Sequence, residues 1–395
     1  MRVGIITAHY MPEVGYQEVH LPKAFARNGH TVKVFTSNAS VNLGGEMNKL
    51  TYKSGLSHDE KYGFEILRLS AISYKSKAYS FGLRKAVEEF KPDVLVILGV
   101  AKIFPMPLLN ATFGKKVKMV SVYGDAKEYL DRNTFKQKLK TSLFELGYRF
   151  IKEPLYRKAV RYGERLVMNI PETNDFFLSF LKGDDKKVFE QKRLMLTLGF
   201  NPDEYFYNEA DRLKKRKELG ILDDEVVLMT STRVNKRKNL EGNIELVSRL
   251  RKEGKKLKYI IVGFLGDAYE KELKAFMQSQ PQPEAFICFP FLNAEEIRKM
   301  YCAADVGIWI KAAISIQEAM GTGLPIILEN KPSVNHLLKN EVNGWFYKKD
   351  NFDSVIKNAV TALQEKKIDR EKLAKENAAV LSYDTIAQKM IENLN

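Results

Sequence analysis

Cysteine is almost absent from this 395-residue chain, which carries only Cys288 and Cys302, both inside apolar segments. A disulfide-stapled secreted scaffold is thereby excluded, a thiolate zinc site has no ligand set, and a reducing compartment is expected. Long apolar runs are also lacking: no stretch of about 18 apolar residues occurs, so no helix is expected to cross a bilayer. The opening Met1-Arg2-Val3-Gly4-Ile5-Ile6-Thr7 is too short and too charged for a signal peptide and reads as a first buried strand. No D-x-D pair exists anywhere. A divalent cation would lack the clustered carboxylates that usually hold one, so no metal and no other cofactor is expected.

Negative charge is in deficit, with 64 Lys and Arg against 49 Asp and Glu. Nucleic acid, an anionic membrane and phosphorylated substrates are the partners such a balance leaves open. The excess is concentrated in residues 132–161, where nine Lys and Arg face only Glu145 and Glu153. Apolar residues from Phe135 to Tyr156 recur among them at mostly three-to-four spacing. A basic amphipathic segment of this kind can lie on an anionic membrane, with Lys136, Lys138 and Lys140 on the membrane face. A solvated helix packed on its own domain is the equal alternative. No nucleic-acid motif accompanies the charge, so nucleic acid is not an expected partner.

Strand-sized apolar runs alternate with helix-sized segments over residues 2–7, 31–36, 64–69, 93–98, 117–122 and 165–169. A turn-rich stretch at 198–203 interrupts the alternation, which restarts at 226–230 and continues through 258–262, 286–289, 306–309, 325–328 and 345–347. Strands separated by helices imply parallel sheets with right-handed crossovers. Two successive doubly wound α/β halves are therefore expected, with ligands beyond the C-terminal ends of the strands and in the cleft between the halves.

Three segments can carry chemistry. Strand 226–230 runs into Ser231-Thr232-Arg233-Val234-Asn235-Lys236-Arg237-Lys238-Asn239-Leu240 and then a helix. Cations in such a loop sit where a phosphate would also meet free helix amides. Ser315 and Glu318 have the S-x-x-E spacing of a capping box. A helix is expected to begin there, with Glu318 either capping or holding a ribose diol. After the first strand, Gly15 lets backbone approach a ligand closely and presents amides to an anion.

Together these residues resemble the retaining glycosyltransferases of family 4. The resemblance is carried by Pro12-Glu13-Val14-Gly15-Tyr16-Gln17-Glu18 with Gly29-His30-Thr31-Val32, and by Leu198-Gly199-Phe200-Asn201-Pro202-Asp203. Arg233 and Lys238 five apart, Ala303-Ala304-Asp305-Val306 and Glu318-Ala319-Met320-Gly321-Thr322-Gly323-Leu324-Pro325 continue it, and Val262-Gly263-Phe264 matches in part. It implies a GT-B fold: two facing Rossmann-like domains at 1–197 (acceptor) and 198–375 (donor) around a deep cleft, and a closing helix at 376–395 that packs back on the first. It further implies that Arg233 and Lys238 stabilise a leaving diphosphate and that Glu318 holds the ribose. Gly15 and the helix-start amides of Ser315 and Ile316 would contact the donor, and the loop at Phe291 and Leu292 would read the base. Tyr16, Tyr123 and Asp125 would stand on the acceptor or sugar side.

The sequence departs from the family's pattern in three places. Ile310, followed by Lys311, stands where a first glutamate usually contacts the transferred sugar; Tyr123-Gly124-Asp125 replaces a cleft histidine; and Tyr16 replaces a second glycine. The expected activity is transfer of a sugar from a nucleotide-sugar to a glycan or lipid-linked acceptor in cell-surface glycan assembly. The expected location is cytoplasmic, peripheral at the inner membrane face. An epimerase acting on nucleotide-sugars and a non-catalytic nucleotide-binding member are the competing readings.

Overall fold

Val94–Leu98 (β7) is apolar and buried at every position, the composition of a parallel strand covered on both faces. Leu95 and Ile97 enter one core together with Ile6, Phe35 and Met119, while Val94, Val96 and Leu98 enter another with Val3, Ile5 and Val34. The computed structural model describes residues 1–13, 15–39, 51–74, 77–100, 102–124, 150, 152–348, 350–365 and 368–394. The chain divides into two units, Met1–Leu198 with Tyr383–Asn395 and Gly199–Ser382.

The first unit holds an eight-stranded sheet. Numbered along the chain, its strands are β1 (Arg2–Ile6), β2 (Thr31–Ser37), β3 (Gly55–Asp59), β4 (Phe64–Leu69), β7, β8 (Lys118–Tyr123), β9 (Arg165–Met168) and β10 (Arg193–Met195). The spatial order is β10-β9-β8-β7-β1-β2-β4-β3, and only the β3–β4 pair is antiparallel. Strands β5 (Ile72–Tyr74) and β6 (Lys77–Tyr79) form a separate antiparallel hairpin. The helix Tyr383–Ile391 closes this unit against the helix Gln17–Arg27. Arg27 grips Asp384 with Nε at 2.9 Å and Nη2 at 2.5 Å, Tyr383 stacks on His20 at 5.4 Å, and Ile386 and Met390 enter the core. Burying each of those large apolar side chains is worth about 1.5–3 kcal/mol.

The second unit repeats the plan with six parallel strands: β11 (Val226–Ser231), β12 (Leu257–Phe264), β13 (Phe286–Pro290), β14 (Val306–Trp309), β15 (Ile326–Glu329) and β16 (Gly344–Tyr347). Their order is β13-β12-β11-β14-β15-β16. Successive residues again alternate between two cores, Val227 and Met229 on one face, Val226 and Leu228 on the other. Fully buried Arg370 pins the start of the helix Arg370–Leu381 to this core. Its guanidinium donates to the carbonyls of Ala304 at 2.8 Å and of Tyr301 and Thr322 at 3.0 Å.

The basic segment divides. Residues 125–149, including Asp125, Lys136, Lys138 and Lys140, lie outside the described residues. Residues 152–162 are helical and turn Leu155, Tyr156, Ala159 and Val160 into the core of their own unit. Arg157 and Arg161 pair with Asp185 at 2.8 and 3.1 Å. For this end of the segment the core-packed helix therefore replaces the membrane-lying reading, because its apolar stripe is already covered. Among the described residues, no helix is long and apolar enough to cross a membrane.

Candidate functional site at the strand ends of the second unit

The backbone that follows β11 is shaped by the strand beside it. Thr232 N–H donates to the Val262 carbonyl at 3.0 Å and Val234 N–H to the Gly263 carbonyl at 3.2 Å, drawing the loop against β12. Gly263 makes this approach possible: its φ is +119°, and a Cβ there would stand 2.0 Å from the Thr232 carbonyl oxygen. The loop then turns through the 3₁₀ segment Lys236–Lys238, capped by Asn235, whose Oδ1 accepts from Arg237 N–H at 3.1 Å. Asn239 in the left-handed region starts the helix Leu240–Lys252.

Arg233 is exposed on this loop and Lys238 is half-buried. Burial, and then the neighbouring Lys311 ammonium, hold Lys238 below the ordinary lysine range. Lys311 belongs to the loop after β14, the strand paired with β11. Two like charges thus converge at adjacent strand ends, and among the described residues neither has a carboxylate partner. Such a pair is relieved by an anion.

A second set of contacts fixes the next element. Ser315 Oγ donates to the Ser231 carbonyl at 2.7 Å and accepts from Trp309 Nε1 at 3.1 Å, while Ser231 Oγ meets the Tyr301 hydroxyl at 2.5 Å. These bonds tie the ends of β11 and β14 to the helix Ile314–Gly321. They also overturn the capping box. The N-cap is Ala313, without a side-chain cap, and Ser315 is already inside the helix with its hydroxyl committed elsewhere. The Ile316 amide is no donor-binding group either, since it bonds to the Ala313 carbonyl at 3.1 Å and its side chain is fully buried. The first-turn amides left to a ligand are those of Ile314 and Ser315.

Glu318 lies one turn into this helix. Burial pushes its carboxyl up to about 7 against an opposing hydrogen bond from Tyr205, and the Glu204 charge adds to the rise. Tyr205 is itself held well above the ordinary phenol value, first by burial and then by Glu318. In its ionised form this carboxylate, which already accepts the Tyr205 hydroxyl, has further lone pairs that can accept the paired hydroxyls of a ribose.

Around this edge, Phe291 exposes its ring after β13, 59% accessible, whereas Leu292 packs on the core. Ile310 lines a cavity with Asn239, Glu329 and Tyr347, and Glu329 pairs with Lys331 at 2.6 Å. In the first unit, Gly15 has φ +66° and Tyr16, 44% exposed, is the N-cap of the helix Gln17–Arg27. Tyr123 is corrected: it is 1% exposed, its ring packs edge-on to Tyr156 and Phe177, and its hydroxyl bonds to that of Tyr156. It is a core side chain and presents nothing to a sugar.

Lys311 and Tyr205 are the residues that spacing did not assign. Lys311 stood one residue from a conspicuous departure but has no motif of its own. Tyr205 lies more than a hundred positions from its partner, a pairing that a single sequence does not expose.

Residues 211–380 match the family model described as glycosyl transferases group 1. An alpha-monoglucosyldiacylglycerol synthase of Streptococcus pneumoniae is 23% identical over 88% of this chain and 75% of its own length. A protein of the same description from Acholeplasma laidlawii is 22% identical over 93% and 89%. Among solved structures, Anabaena HepE in complex with UDP-glucose superimposes over 100% of this chain and 99% of its own, with a TM-score of 0.64 and 16% identity.

Proposed function

The chain is a glycosyltransferase with the GT-B fold, and from that premise we propose that it transfers a sugar from a UDP-sugar to a hydroxyl of a membrane lipid, with retention at the anomeric carbon and without a metal. Supporting the donor is the convergence of Lys238, on the loop that also carries Arg233, with Lys311 on the loop after β14, two cations with no carboxylate partner among the described residues. This is the observation that carries the reading. The UDP of the HepE complex supports the choice of nucleotide, and the two diacylglycerol-named relatives support the acceptor.

In the proposed reaction the bond between the anomeric carbon and the diphosphate oxygen breaks as the acceptor oxygen bonds to the same face of that carbon. The acceptor proton leaves with the departing diphosphate. Arg233, Lys238 and the amides of Ile314 and Ser315 meet the charge that grows on that diphosphate, a preorganised contribution worth roughly 3–4 kcal/mol per donor in comparable sites. Glu318 would accept from the ribose hydroxyls, and the exposed Phe291 ring would lie against the base. Lys136, Lys138 and Lys140 belong to this proposal as cations on an anionic membrane at the cytoplasmic face.

The test is a thermal-shift and turnover screen of UDP-, GDP- and ADP-sugars beside an Arg233→Ala control. The proposal expects stabilisation by UDP-sugars and slow UDP release that the control loses and that EDTA leaves unchanged. No shift with any nucleotide would sink the donor assignment, isomerised sugar nucleotide without acceptor would favour an epimerase, and EDTA-sensitive turnover would refute metal independence.

A further inference from the structure

A hydrogen-bond chain inside the second unit runs in one direction. Thr230 Oγ1 donates to the Ile308 carbonyl at 2.6 Å, so it must accept from the Tyr259 hydroxyl at 2.7 Å. That hydroxyl, its one proton spent, accepts from Asn243 Nδ2 at 2.9 Å. The chain thereby commits the amide nitrogen and leaves Asn243 Oδ1 over. Asn243 is 1% exposed, and this oxygen has no hydrogen-bond partner among the described residues. A buried acceptor left unmet is costly and asks for a donor from outside the protein. Asn243 lines a cavity of about 410 Å³, within the range of small-molecule sites.

A second polar group lines the same cavity in the same condition. Tyr347 ends β16, is 4% exposed and forms no hydrogen bond among the described residues; its ring packs on Phe352 at 4.6 Å. Burial, and then the neighbouring Glu329 charge, hold its phenol above the ordinary value. Glu329 ends β15 and is mostly buried in the lining, and beyond its pairing with Lys331 its carboxylate has capacity for further hydrogen bonds.

Position says which ligand these groups would meet. β14, β15 and β16 are neighbouring parallel strands, so Ile310, Glu329 and Tyr347 gather at one end of the sheet. Ile310 is followed by Lys311, and Asn239, also in the lining, follows Lys238. The cavity thus begins one residue from each of the two cations that converge at the proposed diphosphate site. In a nucleotide-sugar, what hangs from the terminal phosphate is the sugar. An amide oxygen, a carboxylate and a phenol suit the hydroxyls of a neutral sugar. A sugar carboxylate would instead meet acceptors, and Arg249, the cation in the lining, is engaged by Asp353.

We infer that this cavity seats the transferred sugar, and that Asn243, Glu329 and Tyr347 select a neutral hexose through hydrogen bonds to its hydroxyls. The inference rests on the donor reading above and adds to it the class of sugar and the residues that read it.

The experiment uses the full chain. Calorimetric titrations compare UDP, UDP-glucose, UDP-galactose and UDP-glucuronate, for the wild type and for Glu329→Gln/Tyr347→Phe. The two changes keep the side-chain shapes, so melting temperature and UDP affinity should hold. If the pair lowers the melting temperature, Tyr347→Phe alone, which deletes one oxygen, carries the comparison. The wild type should bind one of the UDP-hexoses at least about tenfold more tightly than UDP-glucuronate. The variant should bind that hexose donor at least about tenfold more weakly than the wild type does, with UDP unaffected. Unchanged hexose affinity in the variant means that water alone fills the cavity and overturns the inference. Equal weakening of UDP and UDP-hexose overturns it as well, since the groups would then serve the nucleotide or the fold. So does a wild type that takes UDP-glucuronate as readily as the hexoses. The two readings fail distinguishably. A wild type that binds no UDP removes the donor site and this inference with it, whereas normal UDP binding with hexose affinity untouched by the substitutions removes the cavity assignment alone.

Discussion

Glu318→Gln should make the protein more stable and less able to hold its donor. Burial lifts the Glu318 carboxyl from its ordinary 4.5 to about 7. At about 1.4 kcal/mol per pH decade this corresponds to about 3 kcal/mol, reduced to about 2–3 because water partly reaches the side chain. The sign follows from which state binds the proton. The folded unit favours the neutral acid, so the carboxyl's contribution is complete below about pH 4.5 and is lost as pH rises through about 7. Glutamine keeps an acceptor for the Tyr205 hydroxyl and cannot ionise. At pH 8 the variant should therefore melt about 5–10 °C higher than the wild type, at about 2–4 °C per kcal/mol for a unit of this size. The gap should close toward pH 4.5. Calorimetry across pH 4.5–8, with UDP titrations on the same samples, reads both quantities. Weaker UDP binding should accompany the added stability, since an amide accepts from a ribose diol less strongly than a carboxylate. A variant that is no more stable at pH 8, or that gains stability equally at all pH values, would refute the burial argument. Unchanged UDP affinity would remove Glu318 from the donor site.

Three other perturbations follow from named contacts. Lys311→Ala should weaken UDP binding about tenfold by calorimetric titration, as loss of one charge-assisted bond of about 1.5 kcal/mol or more requires. Gly263→Ala should destabilise the second unit by about 2–4 kcal/mol in urea unfolding and also abolish UDP binding, because the new Cβ meets the Thr232 carbonyl at 2.0 Å and displaces the phosphate loop. Asp384→Asn should cost about 1–3 kcal/mol in the first unit, since Arg27 holds that carboxylate from two nitrogens in a half-buried pair, and should leave nucleotide binding unaffected.

Much of this arrangement was readable before any coordinate. Central strands such as β7 and β11 announce themselves as continuous apolar runs because both faces are covered, and β14 spans the expected 306–309. The GT-B fold followed from the alternation joined to the motifs. Strands that exist through pairing alone were not legible: β3, read Gly-Leu-Ser-His-Asp and almost fully exposed, is a strand only because β4 offers it a ladder. The same limit applied at the site. Arg233 and Lys238 could be chosen by spacing, but Ser315 could not be known to turn inward toward Ser231, nor Tyr123 to pair with Tyr156. Those outcomes depend on partners 84 and 33 positions away.

The central claim is that cations at the strand ends of the second unit drive departure of a nucleoside diphosphate. Single-turnover UDP release from UDP-glucose in the presence of diacylglycerol-containing vesicles, wild type against Lys238→Ala, tests it most directly. The account predicts release slowed by about 10²–10³ in a variant whose melting temperature is preserved. A Lys238→Ala protein that releases UDP at the wild-type rate would contradict it.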